Sequence, residues 1–157
     1  SAQVGVEAGL DIAVEDAFGF LKKMGDGSLG AITAFQVVEH WTRARTAAFL
    51  HLASRKLAPG GVALFETLNP AVFAAYRWFH LDPTHVSFLA PEALRFACEC
   101  AGFEHVETNL VHPVSEHERL REAGDDNQRE NLRRLNETLY GPQDYYLLAR
   151  KPLEQTP

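Results

Sequence analysis

The run Leu29-Gly30-Ala31-Ile32-Thr33-Ala34-Phe35 constrains the fold more than any other stretch of the chain. It shows no alternation of apolar and polar residues, so it reads as a strand without a solvated face, central in a parallel sheet covered on both sides. From Thr42 to Leu57, apolar residues recur at Phe49, Leu50, Ala53 and Leu57, the spacing of one helical face. Ala58-Pro59-Gly60-Gly61 breaks that helix before a second apolar run, Val62-Ala63-Leu64-Phe65-Glu66-Thr67. Strand, helix and strand in this order form a crossover, and a crossover between buried strands commits the chain to an α/β class.

The flanks extend the pattern. Ile12-Ala13-Val14 reads as a short buried strand ending in the acidic loop Glu15-Asp16, followed by a helix with Phe18, Leu21 and Met24 on one face and a stop at Gly25-Asp26-Gly27-Ser28. Residues 68–90 loosen through Asn69-Pro70 and the aromatics Tyr76, Trp78 and Phe79. A loop of that length in a compact domain is usually functional, which makes 68–90 a substrate-side insertion. Pro91-Glu92 opens a helix reaching Ala101 and stopping at Gly102, and a strand follows from His105 to Val111. Residues 113–143 form a helical and loop insertion, with Glu116 to Thr138 read as a solvated helix broken at Gly124-Asp125-Asp126. Asp144 to Arg150 closes the domain as an antiparallel last strand. One domain over 1–157 is expected, since 157 residues at 46% hydrophobic composition suffice for one ordinary core.

A net charge of −6 with scattered Lys and Arg gives no footprint for a phosphate backbone, so no nucleic-acid partner is expected. Cys98 and Cys100 stand two apart on a helix, point to different faces, and read as reduced thiols. No apolar run approaches the roughly 20 residues that span a bilayer. The first residues lack a signal-peptide pattern, so no membrane insertion and a cytoplasmic location are expected; a homodimer is left open.

Three elements, Glu15-Asp16-Ala17 after one strand, Phe35-Gln36-Val37-Val38-Glu39-His40 after the next, and Leu57-Ala58-Pro59-Gly60-Gly61 before a third, resemble class I S-adenosylmethionine-dependent methyltransferases. Asp26 to Ile32, Leu81-Asp82-Pro83-Thr84-His85 and Leu139 to Tyr145 further resemble a subgroup found beside glycosyltransferases of surface-polysaccharide biosynthesis. The resemblance implies a Rossmann-like sandwich, mostly parallel with an antiparallel last strand, and S-adenosylmethionine as cofactor. It places Asp16 on the adenine amino group with Ala17 beside it, and Phe35, Gln36 and Val37 along the methionine part and sulfonium. Asp16 read alone is equally a helix N-cap. The family's glycine-rich turn is absent, and there is no room for its first strand and helix. Val4-Gly5-Val6-Glu7 can be read as the second strand with Glu7 as ribose-hydroxyl ligand, or Ser1 to Gly9 as a tail in which Glu7 has no role. On the first reading the chain is a fragment, or stretches of a longer chain are missing from it.

Methyl transfer to a hydroxyl of a small molecule or sugar needs alignment and a base. His40 and His85 are the candidates, because ligands of open α/β sheets gather at the carboxyl ends of strands and imidazole accepts protons near neutral pH. Asp82 is a candidate to orient His85 or to bind a sugar hydroxyl, and equally reads as a turn bonding its own backbone. Trp78 and Phe79 offer a flat wall, or core. His80, Asp82 and His85, with His40 or His51, have the residue types of a metal site but no diagnostic spacing, so no metal is expected. A cofactor-free binding or regulatory domain is the alternative function, and a Rossmann dehydrogenase lacks both its phosphate turn and its catalytic group.

Overall fold

The computed structural model describes residues 6–153. Helix α1 covers Ala17–Lys23, β1 Leu29–Phe35, α2 Arg43–Lys56, β2 Leu57–Leu68, α3 Phe73–Leu81, α4 Pro91–Cys100, β3 Glu104–Pro113, α5 Asp126–Tyr140 and β4 Pro142–Arg150, with single 3-10 turns at Val38–His40 and Glu116–Glu118. The sheet order is β1-β2-β4-β3. β1 and β2 run parallel, and β4 is antiparallel to both β2 and β3. The class is therefore the α/β sandwich expected, with its crossover at β1-α2-β2. No helix among the described residues is long and apolar enough to cross a membrane.

The Pro-Gly-Gly turn lies inside β2. Leu57 pairs with Leu29, the ladder shifts, and pairing resumes from Val62 with Ala31. Gly60 has φ +75°, which glycine adopts without a Cβ penalty, and a Cβ on Gly61 would meet the Ala58 carbonyl oxygen at 2.8 Å and that of Gly30 at 3.1 Å. The turn thus packs backbone on backbone. Just before it, Lys56 donates to the Met24 carbonyl at 2.7 Å and to Asp26 at 2.6 Å, tying the end of α2 to the loop before β1.

Along β2, Ala63, Phe65 and Thr67 are buried while Val62, Leu64 and Glu66 are only half-buried, the alternation of a sheet with one fully covered face. On the covered side Phe49 meets Trp41 at 4.8 Å, Phe18 at 5.5 Å and Phe65 at 6.5 Å between ring centroids, alongside the buried Leu50, Ala53, Leu94 and Leu147. Truncating Leu50 to Ala, where no solvent reaches, costs about 2–5 kcal/mol. Helices α3 and α5 pack on each other, and α3 also touches β2 and β4.

Several expectations are corrected. β1 is an edge strand among the described residues, with Ala31, Thr33 and Phe35 exposed, because nothing described pairs with its free side. Ile12-Ala13-Val14 belongs to no strand and Val14 is 84% exposed; it lacks a ladder partner for the same reason. Val6 and Glu7 lie in a helical turn instead of a strand, while Val4 and Gly5 fall outside the described residues. The aromatic stretch of 68–90 contains helix α3. In 113–143 the helix starts only at Asp126, where Asp125 and Gln128 form a reciprocal capping box. Cys98 and Cys100 are free thiols, and burial pushes that of Cys98 up to about 12, so it is inert at neutral pH.

Hydrogen bonds from Lys56, then Arg55, hold the Asp26 carboxyl below the usual carboxylate range. A lowered folded-state value stabilises above the unfolded-state value and is lost as pH falls through the folded one. Asp26→Asn is therefore less stable than the parent at pH 7, and the difference closes only below about pH 4, as read by urea denaturation across pH 3–7. A pH-independent difference would contradict the assignment.

Candidate active site

At the carboxyl end of β1 the chain turns sharply. Gln36 takes φ 53°, its amide donates to the Glu66 carbonyl at 2.9 Å, and Val38–His40 follows as a 3-10 turn. Val38 and Glu39 are buried there, and His40 is half-buried. The segment after α3 comes back to this point. Val86 and Ser87 donate their amides to the Glu39 carbonyl at 2.8 and 3.0 Å, and the Tyr145 hydroxyl, buried in β4, donates to the Leu89 carbonyl at 3.0 Å. Burial raises the Tyr145 hydroxyl well above the ordinary phenol range, so it stays a donor.

These bonds bring His40 and His85 together, with ring centroids 4.6 Å apart. His85, its side chain 10% exposed, bonds through Nδ1 to the Phe79 carbonyl at 3.0 Å. A carbonyl only accepts, so Nδ1 carries the proton and Nε2 presents a lone pair in the neutral ring. His40 Nδ1 lies 2.8 Å from Thr84 Oγ1, and that hydroxyl donates to Asp82 Oδ1 at 2.6 Å. With its proton committed to the carboxylate, Thr84 accepts from His40, which fixes the same tautomer there. Asp82 also takes the Thr84 amide at 2.8 Å, and these Thr84 bonds hold its carboxyl below the usual range.

Asp82 thus makes the turn that bonds its own backbone. It orients His40 through Thr84, while its Oδ2 stands 4.0 Å from His85 Nε2. Beside His85 lies a cleft of ≈ 530 Å³ lined by Gln36, Leu68, Trp78, Leu81, Asp82, Pro83 and His85. Trp78 is fixed by its indole N–H on Gln143 at 2.6 Å. Gln36 donates to Asp144, whose other oxygen pairs with His112 at 2.8 Å.

Of the other sequence candidates, Gln36 shares the cleft with His85 and the rest lie apart from it. Asp16 caps α1, accepting the Phe18 and Gly19 amides at 3.1 Å, and pairs with Arg45 at 2.6 Å; these bonds, the Gly19 amide first, lower its carboxyl. Ala17 follows as the first residue of α1. Phe35 and Gln36 are exposed and Val37 is half-buried at the end of β1. Glu7 is exposed, and His51 and His80 are exposed, His80 against the Tyr76 ring. Glu39, Thr67 and Thr84 were missed. The only hint was an acid inside the apolar Val37-Val38-Glu39.

A family model described as a methyltransferase domain matches residues 8–108, and the chain belongs to that family. A probable S-adenosylmethionine-dependent methyltransferase of Mycolicibacterium smegmatis is 38% identical over 84 residues, 53% of this chain and 32% of that protein, so the match spans about a third of its length. A SAM-dependent methyltransferase of Archaeoglobus fulgidus superposes with a TM-score of 0.85 at 29% identity, over 92% of this chain and 69% of the other. One from Thermotoga maritima gives 0.57 at 14% identity over 82% and 58%, a likeness of fold alone. S-adenosylmethionine is the cofactor this family implies.

Tyr145→Phe removes the donor to the Leu89 carbonyl, and the unpaired buried oxygen should cost about 1–3 kcal/mol in urea denaturation. Unchanged stability would show that this bond does not anchor the segment carrying His85.

Proposed function

We propose that this chain carries the acceptor side, and part of the cofactor side, of an S-adenosylmethionine-dependent methyltransferase acting on a hydroxyl of a small molecule or sugar. One observation carries the reading: two imidazoles held as Nδ1-H tautomers offer Nε2 lone pairs at the carboxyl end of the sheet, one of them lining a cleft. Ligands of open α/β sheets bind at that end.

When bound, S-adenosylmethionine supplies an electrophilic methyl group on its sulfonium. The remaining work belongs to the protein. His85, which lines the cleft, accepts the acceptor's hydroxyl proton at Nε2 while the methyl carbon exchanges its bond to sulfur for one to that oxygen. His40 is the second acceptor, oriented by the Asp82–Thr84 relay. The flat face of Trp78 with Gln36 and Asp144 beside it suits a polyhydroxylated ring, which favours the surface-polysaccharide subgroup.

The residues at hand fit the cofactor in part. Phe35, Gln36 and Val37 form an open lip at the end of β1. An ionised carboxylate has about four lone-pair sites, and Asp16 uses three of them on Phe18, Gly19 and Arg45, which leaves one for an exocyclic amine. Ala17 stands beside it. The ribose role of Glu7 rests on a strand-end reading that its helical turn does not support, and the proposal makes no use of it. The ion pair on Asp16 favours the second reading, a methyltransferase-like binding or regulatory domain without cofactor.

Calorimetric titration with S-adenosylhomocysteine separates the two: the first predicts micromolar binding that Asp16→Ala weakens. Undetectable binding would leave the regulatory reading. With a hydroxylated acceptor, His85→Gln should lower kcat by about 10²–10⁴, and a rate within twofold of the parent would remove His85 as the base.

A further inference from the structure

Glu39 has no role in the reaction just described, yet it is the most unusual acid in the structure. Its side chain is buried, with 1% of the residue exposed. Oε2 accepts the Thr67 hydroxyl at 2.8 Å, and Oε1 is the one buried side-chain polar atom among the described residues without a hydrogen-bond partner. No salt bridge among the described residues reaches it. A buried carboxylate oxygen left in this state is costly, and such an atom marks a site completed by something else.

What surrounds it is a ligand set. Glu39, His40 and His85 each offer one ligand atom, and these atoms lie within 4.8 Å of one another. We propose that the three side chains bind one divalent first-row transition-metal ion, with zinc as its probe. Two imidazoles with one carboxylate select such an ion over magnesium or calcium, which prefer all-oxygen sites.

The tautomers agree with this assignment. Both histidines commit Nδ1–H to the protein, His85 to the Phe79 carbonyl and His40 to Thr84, whose hydroxyl bonds the Asp82 carboxylate, so Nε2 is the nitrogen each ring has left for an ion. Outer hydrogen bonds of this kind are how proteins orient metal-binding imidazoles, and Thr67 does the same for the Glu39 carboxylate. Tetrahedral zinc with bonds near 2.1 Å sets its ligand atoms about 3.4 Å apart, so atoms within 4.8 Å of one another need to close by at most about 1.4 Å on loading.

Three protein ligands leave a coordination position open, and His85 places it beside the cleft. A hydroxyl bound there would ionise more readily than a free one, which replaces the imidazole base of the unloaded site. That consequence rests on the O-methylation reading above; metal binding itself does not.

The test is calorimetric titration of zinc alone into the chain, with magnesium as the comparison. The proposal expects one zinc per chain, little heat from magnesium, and affinity at least tenfold weaker in Glu39→Gln and in His85→Gln. His51→Gln and His80→Gln should bind as the parent does, since those exposed histidines lie outside the cluster. Visible absorption of the cobalt-loaded protein gives a second readout, lost in His85→Gln, and circular dichroism verifies that each variant is folded. Absence of stoichiometric binding overturns the proposal, as does binding that survives in folded Glu39→Gln and His85→Gln or that falls equally in His51→Gln. One zinc bound with that variant pattern in a chain that neither binds S-adenosylhomocysteine nor transfers methyl groups supports the site and overturns the methyltransferase reading instead.

Discussion

The carbonyl oxygen of Glu39 accepts the amides of both Val86 and Ser87, and the candidate site depends on that junction. It fastens a segment some 45 residues downstream to the turn that follows β1. Without it His85 would have no reason to lie against His40, and the cleft beside Trp78 would lose a wall. The junction is held from both sides. Tyr145 pins the same segment three residues further on through Leu89, and the Asp82 turn stiffens its approach. Backbone bonds therefore set the position of the site, while side-chain bonds set the proton positions of its imidazoles.

The sheet explains why the junction occurs there. Parallel β1 and β2 end on the same side, so the turn after Phe35 and the segment after Leu68 emerge together. Antiparallel β4 begins at that end, which brings Gln143, Asp144 and Tyr145 to it as well. The order β1-β2-β4-β3 gathers four chain regions at one sheet end, the last being the end of β3. The opposite end holds the Pro-Gly-Gly turn and the Lys56–Asp26 tie, which fix the crossover and take no part in the chemistry.

Much of this was legible in the sequence, for definable reasons. The β1-α2-β2 unit announced itself because its strands are too apolar for a solvated face, its helix has one clear period, and glycines break it. The last strand was readable from the apolar run Tyr145 to Leu148, whose burial in the structure alternates with the pleat. Helix α3 was not, because Phe73, Tyr76, Trp78 and Leu81 are exposed and form no apolar stripe. The strand read over Ile12 to Val14 failed because apolar residues make a strand only where a ladder exists to receive them. The start of α5 was available in Asp125 and Gln128, a capping signature hidden among charges. For the site, residue type and position after strands picked out His40, His85 and Asp82. It gave no means of knowing that Asp82 acts on His40 through Thr84, or that Glu39 points inward: burial and hydroxyl direction belong to the tertiary structure.

The hydrogen bonds of His40 and His85 place the single proton of the neutral ring on Nδ1 and leave Nε2 as the acceptor, both at one sheet end. Long-range ¹H–¹⁵N correlation spectra of the folded chain at mildly alkaline pH, without added metal, read this directly. The account predicts that His40 and His85 both show a protonated Nδ1 and a pyridine-like Nε2, while exposed His51 shows the mixture of tautomers of a free ring. Nε2-protonated rings at His40 and His85 would contradict the hydrogen-bond assignment, and with it the site's capacity to accept a proton or hold an ion.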